Sequence, residues 1–271
     1  MQFHKMDGAG NDFILIDARH NGFHLSPSQI AHLCHRRLGI GADGFMLLST
    51  GPQGSDFRME YYNSDGYPAD MCGNGGRCIA LFAHLLGLSH SVEGKPHLHF
   101  VANDGIHHAV VLLWDPSAGI ALVQLGMRDV PCNGVRRVLD GWLLNTGVPH
   151  YVQRVQNLDA FDVVGEGRRL RHAAELGPEG ANVNFIEDLP DGRLALRTYE
   201  RGVEDETLAC GTGVTACAIV TGNGSIHARG GDFKVAFTPT GTAYTDITLT
   251  APVSCNFVGD FDPRHLAVTN N

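Results

Sequence analysis

Two glycine-rich segments, each opened by a cysteine, divide this chain into two equivalent parts. Cys72-Gly73-Asn74-Gly75 and Cys210-Gly211-Thr212-Gly213 stand half a chain apart in a sequence of 271 residues. The same offset pairs Tyr61 with Tyr199, and each segment runs into an apolar stretch, Ile79–Ala83 and Ala216–Val220. A repeat of this length favours two similar units over one continuous core. It also suggests two thiols facing each other across a pseudo-twofold axis. Such a pair suits a reaction that needs one proton acceptor and one proton donor on opposite faces of a carbon.

The pattern between these segments is rich in strands. Phe13 to Asp17 and Phe57 to Tyr61 read as strands, as does Leu194 to Tyr199, which delivers Glu200 and Arg201 at its end. Further strands are expected at 97–101, 107–114, 120–125, 151–156, 233–238 and 246–250, and 34 glycines fit many tight turns between them. Three helices are expected. One starts at Ser26-Pro27, a cap followed by a first-turn proline, and runs to about Leu38. The other two follow the cysteine segments. The first of these is apolar on nearly every face (Ile79, Leu81, Phe82, Leu85, Leu86) and therefore belongs in an interior. The fold class is α+β: two pseudo-symmetric halves, each a curled, mostly antiparallel sheet around a central helix. Residues 1–116 form the half carrying Cys72, completed by 256–271. Residues 117–255 form the half carrying Cys210, with the change near Asp115-Pro116-Ser117.

Charge and cysteine usage narrow the function classes. The net charge is −9 and the basic runs are short, as in Arg168-Arg169-x-Arg171, which argues against nucleic acid as a partner. The start of the chain has no basic segment followed by an apolar core, and the run from Ile79 to Leu88 is too short to span a bilayer. A cytoplasmic location with no membrane partner is expected. Seven cysteines are an odd number, and in such a chain they read as thiols rather than a disulfide framework. Cys72-x5-Cys78 and Cys210-x6-Cys217 lack the close spacing of structural zinc pairs, so no metal is expected.

A thiol at a helix start has a physical reason to react. The helix dipole and the unpaired N–H groups of the first turn favour the thiolate. Glycine after the cysteine lets the backbone approach a ligand and turn its N–H groups inward. A single cysteine is more often a small buried hydrophobe. The duplication sets Cys72 and Cys210 apart from Cys34, Cys78, Cys132, Cys217 and Cys255, which read as structural.

Three stretches, in order, carry a resemblance: Gly8-Ala9-Gly10-Asn11-Asp12-Phe13; Asn63-Ser64-Asp65-Gly66 leading to Met71-Cys72-Gly73-Asn74-Gly75-Gly76-Arg77-Cys78; and Tyr199-Glu200-Arg201-Gly202 leading to Glu206-Thr207-Leu208-Ala209-Cys210-Gly211-Thr212-Gly213. The chain resembles the diaminopimelate epimerases. That resemblance implies two similar halves with the active site between them, no pyridoxal phosphate or other cofactor, and a homodimer. It implies that one cysteine, as thiolate, removes the α-proton of diaminopimelate while the other, as thiol, protonates the opposite face. The N–H groups of Gly73, Asn74, Gly211 and Thr212 are the implied donors to the reacting carboxylate. Glu200 is implied near the reacting ammonium, Arg201 at the distal carboxylate, and Asn11, Asn63 and Asn182 at the polar ends of the substrate. His150 matches a family histidine close to one cysteine. Val148 stands where many members have asparagine, and Gly44 where many have glutamine. One extra residue falls within Val203-Glu204-Asp205.

Gly39-Ile40-Gly41-Ala42-Asp43-Gly44 satisfies a dinucleotide pattern, but a helix precedes it and a strand follows, the reverse of the required order. Only Lys5, Lys95 and Lys234 are available for a Schiff base, and none has a recognisable setting. The rivals are a cofactor-independent racemase of another amino acid such as histidine, a non-catalytic binding protein on the same fold, and a Cys-His hydrolase using Cys210 and His150. The last leaves the second cysteine unexplained.

Overall fold

The structure, a computed structural model, describes residues 1–20, 23–69 and 71–266. The chain divides into two compact units, Met1–Leu125 with Pro252–Asn271, and Gly126–Ala251. Asp115-Pro116-Ser117 lies inside the first unit, in a hairpin turn where the Asp115 carboxylate accepts from Ser117 N–H, Ser117 Oγ and Ala118 N–H. Those turn residues therefore close a strand pair instead of separating the units, and the change falls about nine residues later.

The first unit is built from β1 (Gln2–Gly8), β2 (Asn11–Asp17), α1 (Pro27–Cys34), β3 (Gly44–Ser49), β4 (Phe57–Asn63), α2 (Gly73–Leu85), β5 (His90–Val92), β6 (Lys95–Ala102), β7 (Gly105–Asp115) and β8 (Ile120–Gly126). β1 and β2 are joined by Ala9 and Gly10, both at positive φ (60° and 82°), the backbone of a tight two-residue hairpin. β2 runs parallel to β3, and β4 parallel to β6. Parallel neighbours need a crossover, and α1 and α2 are those crossovers. α1 packs Ile30, Leu33 and Cys34 against Ile14, Ile16, Phe45 and Leu47. α2 touches β1, β2, β3, β6 and β7 and is buried from Gly73 through Ala83. The all-round apolar helix is thus wrapped by sheet, as its sequence required.

α1 stops at Cys34, short of the expected Leu38. His35 turns extended (ψ 120°), and its ring Nδ1 accepts from the N–H groups of Arg37 and Leu38. A Cβ on Gly39 would sit 2.0 Å from the His32 carbonyl oxygen, so this glycine lets the chain fold back over the helix end. The rejected dinucleotide glycines are therefore the connection from α1 to β3. Gly41, at φ 84°, gives its carbonyl to the Lys5 ammonium.

The second unit contains β9 (Val130–Pro131), β10 (Arg136–Val138), β11 (Gly141–Asn145), β12 (Pro149–Arg154), α3 (Val163–Arg171), β13 (Asn182–Asp188), β14 (Leu194–Glu200), β15 (Asp205–Thr207), α4 (Gly211–Thr221), β16 (Ser225–Ala228) and β17 (Gly231–Pro239). The long β18 (Ala243–Asp260) pairs with β17 through 244–250 and with β1 through 254–260. The crossover pattern repeats: β12 and β13 are parallel around α3, and β14 and β16 are parallel around α4. α4 touches β11, β12, β13, β16 and β17. Each central helix therefore follows a cysteine, in line with the fold class expected from sequence.

α3 was not expected. Val163-Val164-Gly165-Glu166-Gly167 has weak helix propensity. The helix is held by tertiary contacts and a cap: Asp162 accepts from Gly165 N–H, and Gly167 lies against the Tyr199 ring, where a Cβ would sit 2.4 Å from Tyr199 Cβ. Arg168, Arg169 and Arg171 occupy its last turn, where cations offset the dipole. No helix among the described residues is long and apolar enough to cross a membrane.

Candidate functional site

Cys72 is the N-cap of α2, with extended backbone (φ −107°, ψ 150°), and is half-buried. Gly75 N–H donates to its sulfur at 3.2 Å. A Cβ on Gly75 would lie 2.4 Å from the Met46 methyl and 3.3 Å from the Cys72 sulfur, so only glycine brings that N–H this close. The helical hydrogen bonds begin with Gly76 N–H on the Cys72 carbonyl, so the N–H groups of Gly73 and Asn74 precede them in the first turn.

Beneath this turn lies Arg77, fully buried. Its Nη1 donates to the Gly73 carbonyl and its Nη2 to Asn74 Oδ1, each at 3.0 Å. Burial lowers its pKa to about 10, which leaves it a cation at neutral pH. A buried cation one turn from Cys72 favours an anion there. Asn11 sits at the start of β2, paired with Gly8, and a Cβ on Gly8 would come within 2.9 Å of the Asn74 carbonyl oxygen. Its amide donates to Asp43 at 2.9 Å. Asp43 and Asp12 are both held by Arg36, and Lys5 and Arg36 keep the Asp12 carboxyl well below the usual range despite burial. Asn63 ends β4 opposite Gly44 and opens an exposed turn closed by Gly66 N–H.

Cys210 caps α4 and is 8% exposed. Its sulfur lies 3.3 Å from Thr212 Oγ1, which lies 2.9 Å from His150 Nε2. His150 is fully buried in β12, and desolvation, with Arg201 nearby, lowers its pKa to about 3. The imidazole is neutral at physiological pH. Its tautomer follows from Asn184, whose Nδ2 donates to the Tyr151 carbonyl at 3.0 Å while its Oδ1 accepts from Thr198 Oγ1 at 3.0 Å. That amide therefore presents N–H to His150 Nδ1 at 3.1 Å. Nδ1 is an acceptor, and the proton sits on Nε2, facing Thr212. With Nε2–H donating to Thr212 Oγ1, the threonine proton is left to point at the sulfur.

Asn182 opens β13. Its Oδ1 accepts from Arg201 N–H at 2.7 Å, and its Nδ2 lies 3.5 Å from His150 Nε2. One network thus joins Asn184, His150, Thr212 and Cys210, with Asn182 and its Arg201 N–H bond beside it. Glu200, the last residue of β14, is half-buried. Its Oε2 accepts from Thr207 Oγ1 at 2.8 Å, and burial pushes the carboxyl up while the threonine bond pulls it back. The Arg201 guanidinium makes a long 3.4 Å contact with the exposed carboxylate of Glu179. Val148 is half-buried in the loop before β12. In that loop, Thr146 Oγ1 donates to the Thr212 carbonyl at 2.8 Å.

The remaining cysteines have different surroundings. Burial pushes Cys34 up to about 12, and drives Cys78, Cys217 and Cys255 upward as well. Sequence reading missed Arg77, Asn184 and Thr207. Arg77 stands four residues after Gly73, one helical turn on, and Asn184 stands two after Asn182, on the same strand face. Those spacings were the available signals.

Comparison with known proteins gives the family and the fold. The family model described as diaminopimelate epimerase matches residues 3–99 and 142–249. A diaminopimelate epimerase of Flavobacterium psychrophilum is 42% identical, covering 95% of this chain and 98% of that protein. Another from Chlorobaculum tepidum is 48% identical over 80% of this chain and 81% of that protein. A solved structure titled as a probable proline racemase from Agrobacterium radiobacter shares the fold, with a TM-score of 0.70 at 15% identity and coverage of 96% and 92%. A hydroxyproline epimerase from Agrobacterium vitis does so with a TM-score of 0.66 at 17% identity, covering 100% of this chain and 96% of that one. With the two cysteine-capped helices in place, the chain belongs to the diaminopimelate epimerase family.

Proposed function

We propose that this chain interconverts LL- and meso-diaminopimelate by two-thiol acid–base catalysis, in lysine and peptidoglycan precursor synthesis. The observation that carries the reading is the matched placement of Cys72 and Cys210, each the N-cap of a helix with a glycine-rich first turn, in a member of this family. One sulfur, as thiolate, takes the α-proton. The other, as thiol, delivers a proton to the opposite face, and the roles exchange with direction. Both proton transfers run through sulfur, so the scheme calls for no pyridoxal cofactor.

The α-proton of an amino acid is a far weaker acid than a thiol, so the developing negative charge needs strong stabilisation. The N–H groups of Gly73, Asn74, Gly211 and Thr212 are donors fixed before the reaction starts. At Cys210, the Thr212 hydroxyl stabilises the thiolate and can follow the sulfur between its two protonation states. Glu200 serves the reacting ammonium and Arg201 the distal carboxylate, with Asn11, Asn63 and Asn182 at the polar ends. The reading extends to a cytoplasmic homodimer.

Proton NMR in deuterium oxide with pure LL-diaminopimelate, followed by chiral chromatography, tests the reaction. Deuterium at the α-position together with meso product is the expected result. A folded, reduced protein that gives neither refutes the substrate assignment. Exchange with a different amino acid would then favour the racemase reading, to which Gly44 lends a specific observation. A Cβ there would meet Tyr61 Cε2 at 2.6 Å, so the ring occupies the space beside this glycine.

A further inference from the structure

The first unit carries a cluster of imidazoles that the proposed chemistry does not use. His90 on β5 lies opposite His97 on β6, and His99 on β6 lies opposite His108 on β7. Leu98 and Phe100, which alternate with these histidines, are fully buried, and α2 touches β6 and β7. The histidines therefore occupy the sheet face turned away from α2.

The rings meet one another. His90 and His99 stack at 5.3 Å between centroids and 15° between planes. His97 Nδ1 lies 3.1 Å from His108 Nε2, and His99 is 5.0 Å from His108. A carboxylate completes the group. Asp56 N–H donates to the His99 carbonyl at 2.7 Å, His99 N–H donates to Asp56 Oδ2 at 2.6 Å, and His90 Nδ1 lies 3.6 Å from the same oxygen. One donor atom each from Asp56, His90 and His99 lies within 4.8 Å of the other two.

We propose that His90, His99 and Asp56 bind a divalent transition-metal ion of the zinc, cobalt or nickel class on this face of the sheet. Two imidazoles and a carboxylate are the donor set that suits such ions. Metal–ligand bonds of roughly 2.0–2.2 Å require the three donors to draw together. His90 and His99 are exposed, while Asp56 is anchored by its two bonds to the His99 backbone. The hydrogen-bonded His97–His108 pair borders His99 and limits where its ring can go. Three protein ligands leave coordination positions for water.

Cobalt titration of the reduced full-length protein tests the site, because the cysteines compete for metal and are spectroscopically distinct. The expected result is one equivalent of Co2+ with visible d–d bands and no near-ultraviolet thiolate charge-transfer band. Affinity should fall at least tenfold in the double variant His90→Ala/His99→Ala. It should fall likewise in Asp56→Asn, which keeps an acceptor for His99 N–H and so preserves the local fold. A melting curve in chelator checks that both variants are folded. Absence of binding, unchanged affinity in both variants, or a charge-transfer band at the first equivalent overturns the proposal. None of these outcomes bears on epimerisation.

Discussion

The ring of His150 meets the hydroxyl of Thr212 at 2.9 Å with its proton on the shared side, because Asn184 occupies the other nitrogen with an N–H of its own. The relay ends 3.3 Å further on, at the Cys210 sulfur. Replacing Asn184 by aspartate reverses the relay: a carboxylate at Nδ1 moves the proton there, and Nε2 then accepts from Thr212. The variant should stay folded while kcat falls about 10–100-fold. Long-range 1H–15N correlation on His150 reads the tautomer directly. An Nδ1–H tautomer in the unmodified protein would refute the assignment.

The same ring gives a pH dependence of stability. Its pKa is about 3 when folded, against 6.5 ordinarily. Between those values the unfolded chain binds more protons than the folded one, so this group makes stability rise with pH across that window. Denaturant midpoints should therefore fall as the pH drops below 6.5. A His150→Gln variant, whatever its starting stability, should show a shallower decline. Equal slopes would mean that the imidazole is not buried neutral.

Glu200 offers a kinetic test. The Thr207 hydroxyl opposes the effect of burial on this carboxyl. Thr207→Val removes that opposition, so the carboxyl titrates at higher pH. If ionised Glu200 is needed for turnover, the acidic limb of kcat/KM moves upward in Thr207→Val. In Glu200→Gln the limb loses this ionisation and activity drops at every pH. An unmoved limb in the threonine variant would remove Glu200 from the ionisations that govern the rate.

Alkylation separates the thiols. Cys72 is half-buried at a helix start, whereas Cys34, Cys78 and Cys217 are buried and harder to ionise. Brief treatment with iodoacetamide near neutral pH should modify Cys72 well before these three, with loss of activity in step. Peptide mass spectrometry gives the order. Cys72→Ala and Cys210→Ala should each lower epimerisation by at least a thousandfold with unchanged circular dichroism.

At Gly44 the constraint is steric. An added methyl group meets the Tyr61 ring at 2.6 Å and the Tyr62 carbonyl oxygen at 3.1 Å. Gly44→Ala should cost about 1–3 kcal/mol by overpacking. Pairing it with Tyr61→Leu should recover part of that loss, as a thermal double-mutant cycle will show. Strict additivity would mean that the ring is not what excludes the side chain.

Much of this was legible beforehand where one local signal dominated. The Ser26-Pro27 cap, the alternation around Phe57 and the apolar stretch after Cys72 each marked an element now seen. What escaped depended on partners distant in sequence. The two glycines in α3 read as helix breakers until Tyr199 is placed against one of them. The bond from Arg201 N–H to the Asn182 side-chain oxygen spans 19 residues and no local pattern announces it. Arg77 is polar in an apolar helix, and its place becomes clear only when its acceptors, Gly73 and Asn74, are seen in the turn above it. The surface histidines at 90, 97, 99 and 108 are scattered in sequence, and strand register brings them together.

The second glycine of each cysteine segment, Gly75 or Gly213, is enforced by its neighbours, Met46 in one copy and Asn184 in the other. The residue before it has diverged: Asn74 rests on a buried guanidinium, Thr212 on a neutral imidazole. Equilibrium fixes the ratio of forward to reverse kcat/KM whatever surrounds the sulfurs. Unequal acids can then show themselves only in which proton transfer limits each direction. Primary deuterium isotope effects should accordingly differ between the LL and meso substrates, so that a duplicated scaffold has acquired a kinetic handedness its sequence repeat conceals.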